Sequence, residues 1–204
     1  MSAPPEWIAV EHRFAGLDRR TFRPALIALA VALVLAYGLP ALNAAIPWHN
    51  EIKAGDVLDL GDGATAVPPV GWQLESGTLA GSGSVSPASP DVRLATGGAT
   101  IALRGASFTG TADAFLDQVL RAEGAQGVEG SRGTLTTTSG LVGVVQSATA
   151  PGGDQVDAAF KMAPGPAETA PALLVVVRTA PGQFERYQDG VGELLRSITP
   201  GANR

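Results

Sequence analysis

Few residues in this chain have the types and spacing that chemistry needs. It has no cysteine and two histidines, His12 in the N-terminal tail and His49 beside the long apolar run, both ahead of the first expected strand at Asp56. A serine or threonine nucleophile needs a base that a third group orients, and the domain offers no histidine for that work. Gly81-Ser-Gly-Ser84 lacks the strand–turn–helix context of a nucleophile elbow. The glycine-rich stretches lack the Lys-Ser/Thr that closes a phosphate-binding loop. Zinc is disfavoured without cysteine and with so little histidine. Asp56, Asp59 and Asp62 are oxygen donors near a Gly61-Asp-Gly63 turn, but they miss the spacing of a calcium loop. On a strand, Asp56 and Asp59 would also point to opposite faces. Paired carboxylates for glycoside hydrolysis carry little weight, because acids are frequent enough to pair by chance. The expectation is a non-enzymatic protein with no cofactor and no metal.

The elements that place the protein are clearer. Pro24 to Trp48 reads PALIALAVALVLAYGLPALNAAIPW, without one charged residue. From Pro24 to Ile46, a helix would be about 34 Å long, enough for a hydrocarbon core of about 30 Å. Leu26, Leu29 and Leu33 would face lipid, and Tyr37 and Trp48 would sit at the interfaces. Pro40 would kink or end the helix. Arg13, Arg19, Arg20 and Arg23 precede the run, and Lys53 is the one cation soon after it. The positive-inside rule then predicts a basic cytoplasmic tail over 1–23, one transmembrane helix over 24–48, and an extracytoplasmic domain over 49–204. The expected location is the plasma (inner) membrane. A cleaved signal peptide is the main competing reading. The long leader, the long apolar run and Pro47 beyond a weak Asn43-Ala44-Ala45 site argue against it. Glu6 to Phe14 could form a short amphipathic helix on the inner surface or a disordered tail.

The chain has 14 Lys and Arg and 19 Asp and Glu, and only four of the former and three of the latter precede residue 49. The outer domain is therefore acidic, which argues against nucleic acid as a partner. Hydrophobic content is 45% but aromatic content only 5%, so the core must be built from Val, Leu and Ala. With no disulfide, packing alone must stabilise it.

Along the domain, Asp56–Leu60 and Ala64–Val67 read as short strands and Gly71–Ser76 as another. AGSGSVSPASP over 80–90 reads as a loop. Asp91–Thr96, Gly97-Gly98 and Ala99–Arg104 form a hairpin signal. A helix follows over 112–123, with Phe115, Leu116, Val119 and Leu120 on one stripe. Strands are expected over 132–138, 141–149, 155–162 and 172–178, the last buried on both faces. A terminal helix is expected from about Pro181 to Ile198. Gly190 and Gly192 would let it approach the sheet. This order predicts α+β, a mainly antiparallel sheet with two packed helices. Trp72, after Pro68-Pro69-Val-Gly, is either a core plug or, with Pro68 and Pro69, an exposed contact for a partner.

Val67-Pro-Pro-Val-Gly-Trp72, the hairpin, the Phe115-Leu116 helix, and the ending Leu173–Arg178, Phe184 and Gly192-Glu-Leu-Leu-Arg-Ser-Ile198 together resemble the PsbP-like fold. The pattern is similar to LpqN-type envelope proteins of mycobacteria and their relatives. The resemblance implies a binding or accessory module on a larger membrane machine, such as one assisting export of mycolate-type lipids in an actinobacterial envelope. The expected partners are the lipid bilayer and an integral membrane protein. A lipid or small-molecule carrier, with an apolar pocket between sheet and helices, is the alternative.

Overall fold

The computed structural model describes residues 13–14, 17–39, 50–83, 89–124, 130–150, 152–163 and 168–201. The chain divides into two compact units, Met1–Trp48 and His49–Arg204.

In the first unit, β1 (Arg13–Phe14) and β2 (Leu17–Asp18) pair antiparallel, and α1 runs Arg19–Leu33. A π-helical turn, Val34–Gly38, continues it. The helix begins five residues ahead of Pro24. Hydropathy locates an apolar face, whereas Arg19, Arg20 and Arg23 are good helix formers that extend the backbone upstream. Every described side chain from 26 to 39 is exposed, with Ile27 at 66% and Tyr37 at 71%. Among the described residues, no helix is long and apolar enough to cross a membrane. Residues 40–48 of the expected span, Trp48 included, lie outside the described residues, as do residues 6–12 of the expected amphipathic helix.

The second unit is α+β. Its short strands are β3 (Leu58–Asp59), β4 (Thr65–Ala66), β5 (Gln73–Ser76) and β6 (Thr78–Leu79). The longer ones are β7 (Asp91–Thr96), β8 (Ala99–Ala106), β9 (Gly130–Thr136), β10 (Val142–Ala150), β11 (Gly153–Lys161) and β12 (Ala172–Thr179). Helix α2 is Ala112–Ala122 and α3 is Phe184–Ser197. Seven strands form one sheet in the order β5-β7-β8-β12-β11-β10-β9, with every pairing antiparallel. A second sheet, β4-β3-β6, has three strands.

Strand β12 shows why the molecule has two cores. Leu173, Val175 and Val177 face one cluster, with Phe160, Ile101, Leu103 and the α3 residues Val191, Leu194 and Leu195. Ala172, Leu174 and Val176 face the other, under Phe115, Leu116 and Leu120 of α2. Alternation at period two sends an all-apolar strand into both layers. Each fully buried Val or Leu there contributes about 1.5–3 kcal/mol.

Both helices are set by local chemistry. The Thr111 hydroxyl accepts from the Ala114 amide at 3.1 Å and caps α2. Asp113 lies in its first turn. Helix α3 starts three residues after the expected Pro181. Gly182 takes a left-handed φ of 68° and the Gln183 amide bonds to the Ala180 carbonyl, so a turn occupies those positions first. Strand β3 is shorter than expected because acids close turns at both sides of it. Asp56 accepts from the Lys53 amide at 2.7 Å, and Asp59 from the Gly61 amide at 2.9 Å.

Candidate functional site

The expected contact residues go inside. Trp72 is 6% exposed, Pro68 is buried and Pro69 half-buried, so the reading of Trp72 and Pro68 as an exposed partner contact gives way to a core role. Period-two alternation carries Trp72 and Leu74 to the core face. The Trp72 ring then meets Tyr187 of α3 edge-on at 5.7 Å. Pro69 packs on α3 at Gly190, where a Cβ would lie 3.3 Å from the proline ring. Gly190 therefore admits the Pro-Pro segment, not the sheet. The exposed residues of this segment are Val67 and Val70, at 50% and 64%.

Three charged groups are held by specific partners. Lys161 is 8% exposed, and its ammonium donates to the carbonyls of Phe108 and Glu168. Burial pushes its pKa below the ordinary lysine value, against the attraction of Glu168. Asp157 is 3% exposed on the α2 side of the sheet and accepts two hydrogen bonds from the Gln155 amide, at 2.8 and 3.0 Å. Burial raises its pKa, and the Gln155 bonds oppose the rise. Arg132 on β9 bridges Asp113 and Asp117 of α2, each at 2.7 Å. The Asp117 hydrogen bond is the main cause of its raised pKa. These groups lock loops and helix to the sheet. Among the described residues, no three His, Cys, Asp or Glu side chains come together to hold a metal.

The open feature lies on the α3 side. Helix α3 leaves the outer strands β9 and β10 incompletely covered, so Leu135 and Val145 are only partly buried against the core. Two recesses result, of about 480 and 440 Å³, which share Val156 and Phe184. The first is lined by Ser131 and Ser147, whose hydroxyls bond at 2.6 Å, and by Asp154 and Glu185. The second follows α3 past Gln188, Asp189, Gly192, Glu193 and Arg196. Four carboxylates line the pair against one guanidinium.

The two sheet edges differ. Strand β5 is four residues long, carries a register shift, and is capped by residues 50–52 through Ile52–Trp72 and Leu74–Asn50 backbone bonds of 2.8 Å. Strand β9 is seven residues long and pairs with β10 in unbroken register. Six of its seven residues are exposed. Among the described residues, no backbone pairs with its outer side. Sequence reasoning read β9 as a strand but not as an edge. Its signal was Gly-Ser-Arg-Gly-Thr-Leu-Thr, which is polar on both faces and so has no wholly buried side.

Compared with known proteins, the chain matches no protein-family model and no curated sequence.

Proposed function

We propose that this protein is a single-pass, membrane-anchored accessory subunit of a cell-envelope complex, with its acidic α+β unit outside the cell and no catalysis of its own. The observation that carries this reading is the apolar surface of α1 together with the π-helical turn that continues it. From Leu26 to Leu39 its aliphatic side chains are exposed, and a contiguous apolar surface of that kind needs lipid or a protein partner to cover it. The arginines at one end of the run support an inward N-terminus. The non-enzymatic reading rests on the lack of any histidine after His49, the first residue of the α+β unit. The resemblance to the PsbP-like fold and LpqN-type proteins supports an actinobacterial envelope setting, with export of mycolate-type lipid as the work assisted.

The carrier alternative needs an apolar cavity between sheet and helix. Leu94, Ile101, Leu103, Phe160, Leu173 and Leu194, all at 0% exposure, fill the middle of that layer, and the two recesses at its margin are lined by four carboxylates as well as by apolar side chains. The accessory reading is therefore preferred.

Affinity purification of the tagged full chain in mild detergent, with mass spectrometry of proteins and lipids, tests it. A stoichiometric membrane-protein partner is expected. Repeated recovery of the chain alone would overturn the reading, and a co-purifying lipid without a protein would favour the carrier.

A further inference from the structure

We propose that the free edge of β9 is a strand-addition site, and that its occupant is an extended, basic segment of a partner protein. The edge has the attributes that natural sheets normally suppress. It is seven residues long and in regular register, with no proline and no bulge. Its one charged side chain, Arg132, is turned back onto Asp113 and Asp117 and does not guard the edge. The opposite edge, β5, is short, shifted in register and capped by residues 50–52. Among the described residues, only the β9 edge of this sheet is left able to accept a strand, and an open edge is what β-augmentation requires.

Charge selects the occupant. A strand added beside β9 would border the first recess, whose lining includes Gly130 and Ser131 of β9, while the second lies farther in on the same face, against β10, β11 and α3. Asp154, Glu185, Asp189 and Glu193 line that side, with Arg196 as the cation. Alternate residues of an added strand project to this face. Lysine or arginine at those positions meets a negative field, and the unit's own acidic excess repels acidic segments. A second copy of this chain would bring the same acids to the same side, so a basic partner fits better. The partner's place in an envelope complex rests on the function proposed above. The strand-addition mode does not.

The test uses the full chain in detergent micelles and three capped peptides: Lys-Val-Lys-Val-Lys-Val-Lys, its Glu-Val counterpart, and the Lys-Val peptide with proline at the central valine, which leaves its charge unchanged. Hydrogen exchange is read at the β9 amides. The Lys-Val peptide is expected to bind and to slow exchange across Gly130–Thr136 at least tenfold. The proline peptide removes a ladder donor and the Glu-Val peptide reverses the charge, and both are expected to bind at least tenfold more weakly. Combined Glu185→Gln, Asp189→Asn and Glu193→Gln, all at exposed helix positions, should weaken the Lys-Val peptide about tenfold without altering exchange in the free protein. Equal binding of the proline peptide would mean charge attraction alone and overturn strand addition. Equal binding of the acidic peptide would overturn the basic occupant. Protection of β9 that rises with protein concentration in the absence of peptide would overturn it in favour of a second copy. None of these outcomes depends on whether a membrane complex is recovered.

Discussion

Trp72 and Tyr187 meet edge-on, with ring centroids 5.7 Å apart and planes at 76°. The Tyr187 hydroxyl continues past that contact to donate to the Gly97 carbonyl at 2.9 Å. One residue pair thus ties the segment ahead of β5 and the β7–β8 turn to the terminal helix. With so few aromatic residues in the chain, this pair supplies a large share of the packing where the Pro-Pro segment crosses α3.

Trp72→Ala should therefore destabilise the α+β unit by about 3–5 kcal/mol in chemical denaturation. Tyr187→Phe keeps the ring contact and loses one hydrogen bond, at about 0.5–1.5 kcal/mol. A Trp72→Ala loss below about 1 kcal/mol would mean that the indole is not a core element.

Gly143 and Gly133 occupy neighbouring strands but differ in what faces them. A Cβ at Gly143 would collide with the Phe160 ring, whereas one at Gly133 meets nothing within 4 Å. Gly143→Ala should cost about 1–3 kcal/mol through overpacking, while Gly133→Ala should be neutral or slightly stabilising. Thermal melts of the two variants compare them directly, and equal losses would contradict the packing of Phe160 under β10.

Lys161 holds two loops by donating to the Phe108 and Glu168 carbonyls, the latter at 2.9 Å. The Gly110 amide also bonds to Glu168 at 2.9 Å. Lys161→Met should cost about 1–3 kcal/mol and speed hydrogen exchange at Gly110. Unchanged exchange there would show that the clamp does not order the loops.

Asp157 sets a pH dependence. Its folded pKa lies above the unfolded value, chiefly because burial penalises the charged form. Folding therefore favours the protonated acid. Its contribution is fully present below the unfolded carboxyl pKa, about 3.9, and is lost as pH rises through the raised folded value. Asp157→Asn mimics the protonated form and can still accept from Gln155. The variant should match or exceed the parent at pH 7 and lack this loss on titration. A variant clearly less stable than the parent at pH 7, yet equal to it at pH 4, would contradict the assignment.

The local elements were legible because each declares itself within about a dozen residues. The apolar run Leu173–Val177 reads as a doubly buried strand, and Thr111 with the Phe115–Leu120 stripe reads as a capped helix. Long-range facts were not legible. Whether Trp72 is inside depends on Tyr187, more than a hundred residues away. Gly190 packs on Pro69 instead of the sheet because residues 64–69 run beside α3, joined by the Thr65–Thr199 bridge and the Ser197 hydroxyl at the Val67 amide. The open β9 edge exists because of sheet order, which no window of sequence contains. The lining of the recesses, from Ser131 to Glu193, follows from how far α3 covers that sheet.

The central claim is that the apolar run anchors the chain with the acidic unit outside. Alkaline carbonate extraction of cell membranes carrying the full chain, followed by protease treatment of intact spheroplasts, tests it most directly. The account predicts that the chain stays in the membrane pellet and that external protease removes the outer unit while sparing the N-terminal arginines. Release of the chain into the supernatant, or protection of the outer unit in intact spheroplasts, would contradict it.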